Sequence, residues 1–456
     1  MGLGGLATAG ALGMPPATAG AAPSDGLAVP PFAPTGRRPR FRRATWSQQF
    51  QAGHGWSAQG AGTASSNPVD TAVFTRGSSS VRVTTTGTGV QSSVRRTGMA
   101  PMDLTGRMIR LVFRVTDVTH LGKVVFYLGR GGLKDFYSWR VHTRTANPAE
   151  YVQSGEWVTV HLQWADVSAA SGAYTLSASG DPSVRSGFTD MSFAVYDDAG
   201  APVTYNLQAV ELVPDTTSVF PKGVVSVTFD DSQVSVHDLA RPVMDSLGMP
   251  GTLYNIAEAV GTGGFVNIAQ MRSLQDFSGW EMAGHAYADA VHTAGYPALT
   301  AQQADDDFRK LREWLVGNGF TSEHFAYPHG EFQKTTDGVP VDLLAARHFT
   351  TARSIISETV ESYAPAMPYR LKAVTGITDG TGVGGTALAG VTGTGGALDR
   401  CARSGSWLVL CLHKVVTGTP VASTEISLAG LRQLMTGIQD RGITVLTVQE
   451  AMAYYG

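Results

Sequence analysis

Hydrophobic and polar positions change rhythm twice along this chain. Residues 1–43 show no hydrophobic periodicity, and an export-signal remnant followed by a disordered Arg-rich linker is expected there. From Ala44 onward, short alternating segments recur: Val81 and Val83; Ile109, Leu111, Phe113 and Val115; Val158, Val160 and Leu162; Met191, Phe193 and Val195; Val203, Tyr205 and Leu207. The residues between them are largely polar, which is the period-2 mark of strands with one buried face. Gly, Ser, Asp and Pro separate the segments, and no helical spacing stands out. Residues 44–213 therefore predict an antiparallel β-sandwich, jelly-roll-like in form. Residues 214–222 read as a linker, broken by Pro214, Asp215 and Pro221.

From residue 223 to 456 the pattern alternates between strand and helix. Val224–Phe229 is a continuous apolar run, Val236–Leu247 has helical spacing, and Thr252–Ile256 is strand-like. Ile268–Leu274 reads as a helix, Trp280–Ala283 as a strand, and Thr300 as the cap of a helix reaching about Val316. Then come strands Phe325–Tyr327 and Trp407–Leu412, helix Ser427–Asp440 and strand Thr444–Val448. Such alternation predicts a parallel sheet, here a distorted β/α barrel, with function gathered where strands end.

Composition narrows the class. A net charge of −3 supplies no field to attract nucleic acid. Arg37, Arg38, Arg40, Arg42 and Arg43 form one basic cluster, read as a solvated linker. No apolar run reaches the ~20 residues of a membrane span. Few charges, 16%, and abundant Gly, Ser and Thr resemble secreted proteins. Residues 2–23 look like the back half of an export signal, so a secreted or cell-envelope location is expected. Of the two cysteines, Cys411 lies in an apolar run and reads as a buried free thiol, a bridge to Cys401 being the alternative.

The strand ends carry the candidate chemistry. Val224–Phe229 runs into Asp230-Asp231, Trp280–Ala283 into Gly284-His285 with Asp289 and His292 behind, Phe325–Tyr327 into Pro328-His329-Gly330, and Trp407–Leu412 into His413. Adjacent carboxylates leaving a buried strand are costly unless paired or bound to a cation. Carboxylate plus imidazoles suits a borderline divalent ion such as zinc, which makes water acidic. A second carboxylate can then act as general base and a distal histidine as general acid. Together they describe hydrolysis of an amide or ester.

Thr228-Phe-Asp-Asp231, Gly284-His285 with His292, Phe325-Ala-Tyr-Pro-His-Gly330 and Leu412-His413 resemble, in order and spacing, the motifs of polysaccharide deacetylases, carbohydrate esterase family 4. The resemblance covers about residues 224–450. It implies Asp230 as general base, Asp231 and His285 as metal ligands, and His413 as general acid, with an acetylated polysaccharide as substrate. Leu412 would flank the acetyl methyl group. The backbone N–H of His329 would help hold the oxyanion beside Tyr327 and Pro328, such a donor being typically worth ~2.7–4 kcal/mol.

Two positions depart from the family's pattern. Its metal histidines usually stand at i and i+4. Here the residue four after His285 is Asp289, and the next histidine is His292. His292 is expected as the third ligand, with Asp289 as the alternative. The third motif usually carries an Arg two residues before its Pro, where this chain has Ala326. Arg353 is a candidate replacement. These departures keep a second reading open, a non-catalytic carbohydrate-binding or cell-surface protein with a degenerate barrel. In the β-domain, Phe126, Tyr127, Phe136, Tyr137 and Trp139 form an aromatic cluster expected to be mostly core, with sugar binding as the further hypothesis.

Overall fold

The computed structural model describes residues 26–36, 42–141, 151–167, 183–215, 220–356, 359–361 and 364–455. The export-like start, Arg37, Arg38, Arg40 and the middle of the 214–222 linker lie outside the described residues. Part of the segment expected to be disordered is instead placed against the barrel. Leu27 packs on the barrel core, and the backbone N–H groups of Thr35 and Gly36 donate to the Glu323 carboxylate at 2.6–3.0 Å. A buried-edge carboxylate with free acceptor sites orders a chain that has no periodicity of its own.

Among the described residues of 44–215, the strands form antiparallel sheets of six and five strands and a two-stranded pair, Met102–Asp103 with Ser186–Phe188. The alternating residues do what their period requires. Val81, Val83, Ile109, Leu111, Phe113, Met191, Phe193, Tyr205 and Leu207 share a single core. Phe126, Tyr137 and Trp139 belong to it, whereas Tyr127 and Phe136 stay half-buried on the outer side and meet edge-to-face at 5.4 Å. Among the described residues, the only helical turn here is the 3₁₀ segment Trp164–Asp166.

The C-terminal region is built on a parallel sheet. Its path runs Thr351–Arg353, His324–Ala326, Glu281–Ala286, Thr252–Ile256, Val224–Phe229, Trp407–Leu412 and Val374–Thr375, with Thr444–Val445 added beside Val224–Phe229. Helices cover its outer face. Val225, Val227, Phe229, Leu408, Leu410 and Leu412 join the core beneath them. The alternate residues Val224, Trp407, Val409 and Cys411 pack on the other face. Period 2 therefore carries Ser226, Thr228 and then Asp230 onto the inner face.

That face is curved. Thr351–Arg353 lies four strands from Val224–Phe229, about 19 Å across a flat sheet. Yet Arg353 Nη2 lies 2.5 Å from Asp230 Oδ2. The sheet curls into a half-barrel whose two end strands are not paired to each other among the described residues, so the barrel is open.

Several element boundaries differ from expectation, among them the helix from Ile268, which runs on to Ser278, and the strand at 325, which is His324–Ala326. The strand at 280 runs Glu281–Ala286, so His285 sits inside it rather than after it. Val236–Leu247 is split, a π-turn over Val236–Ala240 leading into the short helix Arg241–Asp245. The expected strand Thr444–Val448 ends at Val445, and Val448–Tyr455 is helical.

Candidate active site

Because all pairs in the curled sheet are parallel, the C-terminal ends of its strands share one rim. Asp230 leaves the first strand with its N–H donating to Leu412 O at 2.9 Å. Asp231 and Ser232 then turn in the left-handed region, at φ 68° and 53°. Asp tolerates this conformation better than most residues. The Ser232 hydroxyl accepts from Ile256 N–H at 2.9 Å and donates to Asn255 at 3.3 Å, which fixes the turn. Asp230 thus points into the barrel and Asp231 points along its rim.

Asp231, His285 and His292 converge. Their candidate ligand atoms lie within 4.8 Å of one another. His292 Nε2 is 3.0 Å and His285 Nε2 3.4 Å from Asp231 Oδ1. His285 Nδ1 donates to the Ala326 carbonyl at 2.7 Å, which leaves Nε2 to face the group. A backbone carbonyl on the far nitrogen of a ligating imidazole is the usual way its tautomer and orientation are set. One carboxylate and two imidazole nitrogens at this spacing fit a divalent metal ion. Burial raises the Asp231 pKa, but the His285 and His292 hydrogen bonds outweigh it and hold the carboxyl well below the usual range.

His292 reaches the group from the short helix Asp289–Ala294, which begins after Ala288. Asp289 opens that helix, is exposed, and gives its N–H to Glu258 at 3.1 Å. It stands outside the group, so the i+7 histidine, not the i+4 carboxylate, joins Asp231 and His285.

Asp230 is only 4% exposed and is held from several sides. Arg353 Nη2 donates to both its oxygens, at 2.7 and 2.5 Å. The Cys411 thiol donates to Oδ2 at 3.3 Å, and His285 and His413 Nε2 each lie 4.0 Å from it. Burial pushes the Asp230 pKa up. The Arg353 charge, with His285 and His413, prevails and keeps it below the ordinary carboxylate value.

Arg353 is the Cα register partner of Ala326 in the neighbouring strand. Ala326 packs in a small inner cluster with Tyr254 and Ala283, and the Arg353 guanidinium lies over the Tyr254 ring, 5.1 Å from its centroid. The cation missing from position 326 is thus supplied one strand over, at the same level of the barrel. The small Ala326 side chain leaves it room.

His329 also has a left-handed backbone, at φ 56°, and its ring centre lies 5.7 Å from that of His292. Tyr327 is fully buried and donates its hydroxyl to Tyr369 O at 3.1 Å. With Pro328 it shapes the rim rather than presenting a polar group to it. Leu412 is 1% exposed and belongs to the barrel core. His237, His324 and His348 stay outside the site, against Asp238, Thr351 and Asp305. Both cysteines are buried and free.

The contact of Cys411 with Asp230 was not foreseen, although alternation along Trp407–Leu412 could have placed its thiol on the inner face. The Ala326 carbonyl that orients His285 is a backbone group with no signature in the sequence.

A sequence model described as polysaccharide deacetylase matches residues 217–343. The match ends before Arg353 and His413, which geometry alone ties to the site. A search of curated proteins finds no match. Among solved structures, the chain is similar to the CE4 domain of a multidomain xylanase from the hindgut metagenome of Trinervitermes trinervoides, with 16% identity over 51% of this chain and 91% of that one, TM-score 0.32. It is similar to a family 4 carbohydrate esterase from Streptomyces lividans, with 17% identity over 50% and 93%, TM-score 0.30. It is also similar to a CE4 family pseudoenzyme from Bacillus anthracis, with 15% identity over 51% and 66%, TM-score 0.32. The segment 217–343 thus carries the sequence pattern of the polysaccharide deacetylase family.

Proposed function

We propose that this protein is a metal-dependent hydrolase that removes N-acetyl or O-acetyl groups from a polysaccharide. The observation that carries this reading is the division of the double carboxylate. Asp231 joins His285 and His292, while Asp230, one residue away, is held by Arg353 with His413 across from it. In this reading Asp231, His285 and His292 hold a zinc ion, which when bound supplies Lewis acidity toward the acetyl carbonyl and a water.

The chain's own residues do the proton work. Ionised Asp230 takes a proton from the attacking water at a carboxylate oxygen, and Arg353 keeps it ionised and oriented. His413 gives a proton from Nε2 to the leaving nitrogen or oxygen. The His329 N–H faces the developing oxyanion, and Leu412 bounds the methyl side. Acetate and a free amine or hydroxyl result.

The two departures that favoured a degenerate barrel are both compensated in space, by His292 and by Arg353. That supports catalysis over a decayed site. An exported protein suits a polymeric substrate, and secretion into the medium would check this. Sugar binding by the β-domain retains only Tyr127 and Phe136 as outward aromatic candidates from its cluster.

The test is acetate release from chitooligosaccharides, peptidoglycan and acetyl-xylan by the metal-loaded protein. One of these is expected to be hydrolysed, with Asp230→Asn reducing the rate by roughly 10²–10⁴-fold. No acetate from any acetylated glycan, or full activity in Asp230→Asn, contradicts the reading.

A further inference from the structure

The β-domain and the barrel do not simply abut. Ile356, two residues after the strand Thr351–Arg353 has given way to Ser354, is buried in the core of the β-domain. In return, Ala165 of the β-domain is buried in the core of the barrel. Around this exchange the β-domain grips the barrel chain at two points, one within residues 359–361 and one within residues 364–372.

The first grip is Asp166. Its carboxylate accepts the Thr359 hydroxyl at 2.6 Å and the Val360 N–H at 3.2 Å. The second is on Arg370, which is 2% exposed. Arg370 donates to Glu156 Oε2 at 2.5 Å and to the Tyr151 carbonyl at 3.0 Å, and it also binds Asp342 of the barrel at 2.8 Å.

The gripped stretch lies on the free edge of the end strand. Ala352 N–H donates to Pro368 O, Leu371 N–H to Ala352 O and Ser354 N–H to Leu371 O, at 2.9–3.0 Å. Those bonds bracket Arg353. The Ser354 hydroxyl then donates to Gly330 O at 2.7 Å, in the turn that carries His329. An open barrel leaves its end strand with one unpaired edge, and an edge strand held from one side is free to shift. Here the second side is supplied through a stretch that another domain fastens.

We propose that Asp166 and Glu156 of the β-domain are positioning residues for catalysis: by fastening residues 359–361 and 364–372 they hold the end strand, and with it Arg353 against Asp230. The β-domain is then part of the catalytic apparatus whether or not it binds sugar. The proposal rests on the deacetylase reading for its kinetic arm and on geometry alone for its structural arm.

The test uses the full chain carrying Asp166→Ala together with Glu156→Ala, in the wild-type background and in Arg353→Ala. Hydrogen exchange is read at the amides of Ala352, Ser354 and Leu371. Protection there is expected to fall at least about ten-fold, with the strands Thr252–Ile256 and Val224–Phe229 unchanged. In the metal-loaded enzyme kcat is expected to fall roughly 10- to 100-fold with little change in KM. That loss should largely vanish in the Arg353→Ala background, since residues acting through one another are not additive.

Unchanged protection at the three amides overturns the proposal, as does an equal loss of kcat in both backgrounds. If the wild type releases no acetate, the deacetylase reading fails and the exchange data still decide this one. If the double variant does not fold, Glu156→Ala alone carries the same readouts, because Arg370 keeps Asp342 as its partner.

Discussion

At Asp230, burial and charge oppose each other, and the Arg353 guanidinium decides the outcome. Removing one partner of such a buried pair strands the other, at a cost of about 3–5 kcal/mol. Arg353→Ala should therefore lower both the melting temperature and the acetate-release rate. Because Ala326 and Arg353 are register partners, the cation can be moved back: Ala326→Arg with Arg353→Ala should recover part of both losses, read by calorimetry and by initial rates. The carboxyls of Asp230 and Asp231 are both held below the usual 3.8. A depressed folded-state pKa means the stabilisation is present above that value and is lost as pH falls below it. Metal-free protein should lose stability below about pH 4, and Asp231→Asn should make that acid loss shallower in melting curves. Among these residues the Asp-Asp pair, His285 and His413 were legible, because each stands at or near the C-terminal end of an apolar strand. Arg353 was legible only as a candidate, since the register that pairs it with Ala326, across the intervening helix, has no mark in the sequence. The choice of His292 over Asp289 depended on how the helix Asp289–Ala294 turns at the rim, which spacing alone leaves open.

The elements set how precisely those side chains are delivered. The strand Glu281–Ala286 continues through Gly284, where a Cβ would come within 2.8 Å of Leu311 Cδ2 and 3.4 Å of the Phe349 ring. The covering helix Ala301–Gly317, which carries Leu311, packs directly onto that strand. Gly284→Ala should cost about 1–3 kcal/mol by overpacking and displace His285, so weakened metal binding by calorimetric titration is expected beside the lower melting temperature. Ending the strand at Ala283 misses this: Gly284 continues the strand and serves close packing. The end of the chain shows the reverse error. Thr447 and Glu450 form a capping box, Glu450 N–H donating to Thr447 Oγ1 at 3.1 Å and Thr447 N–H to Glu450 Oε2 at 2.9 Å. That Thr-x-x-Glu signal was present in the sequence and marks the helix Val448–Tyr455 where a strand was expected. Thr300, by contrast, was read correctly as a cap, and it forms a capping box with Gln303.

Across the whole molecule, the antiparallel strands of one region and the parallel sheet of the other were legible, and their joining was not. Alternation and strand–helix rhythm describe each region by itself, while the exchange of Ile356 and Ala165 between cores depends on surfaces that have no period. One buried group reports on that junction. Burial, with the Arg110, Lys372 and Arg42 charges, pushes the His161 pKa down to about 3. The unfolded chain protonates this imidazole near pH 6.5, so between there and pH 3 the unfolded state binds the extra proton and folding is progressively weakened. A His161→Gln variant should show a flatter stability profile over that window in denaturant titrations. Hydrolysis should depend on the ion that Asp231, His285 and His292 fit. The most direct test is acetate release by chelated protein during titration with a divalent metal. One equivalent should restore the wild type and Asp289→Ala but leave His292→Ala strongly impaired. Activity that survives chelation, or full recovery in His292→Ala, would rule out metal-dependent catalysis at this group.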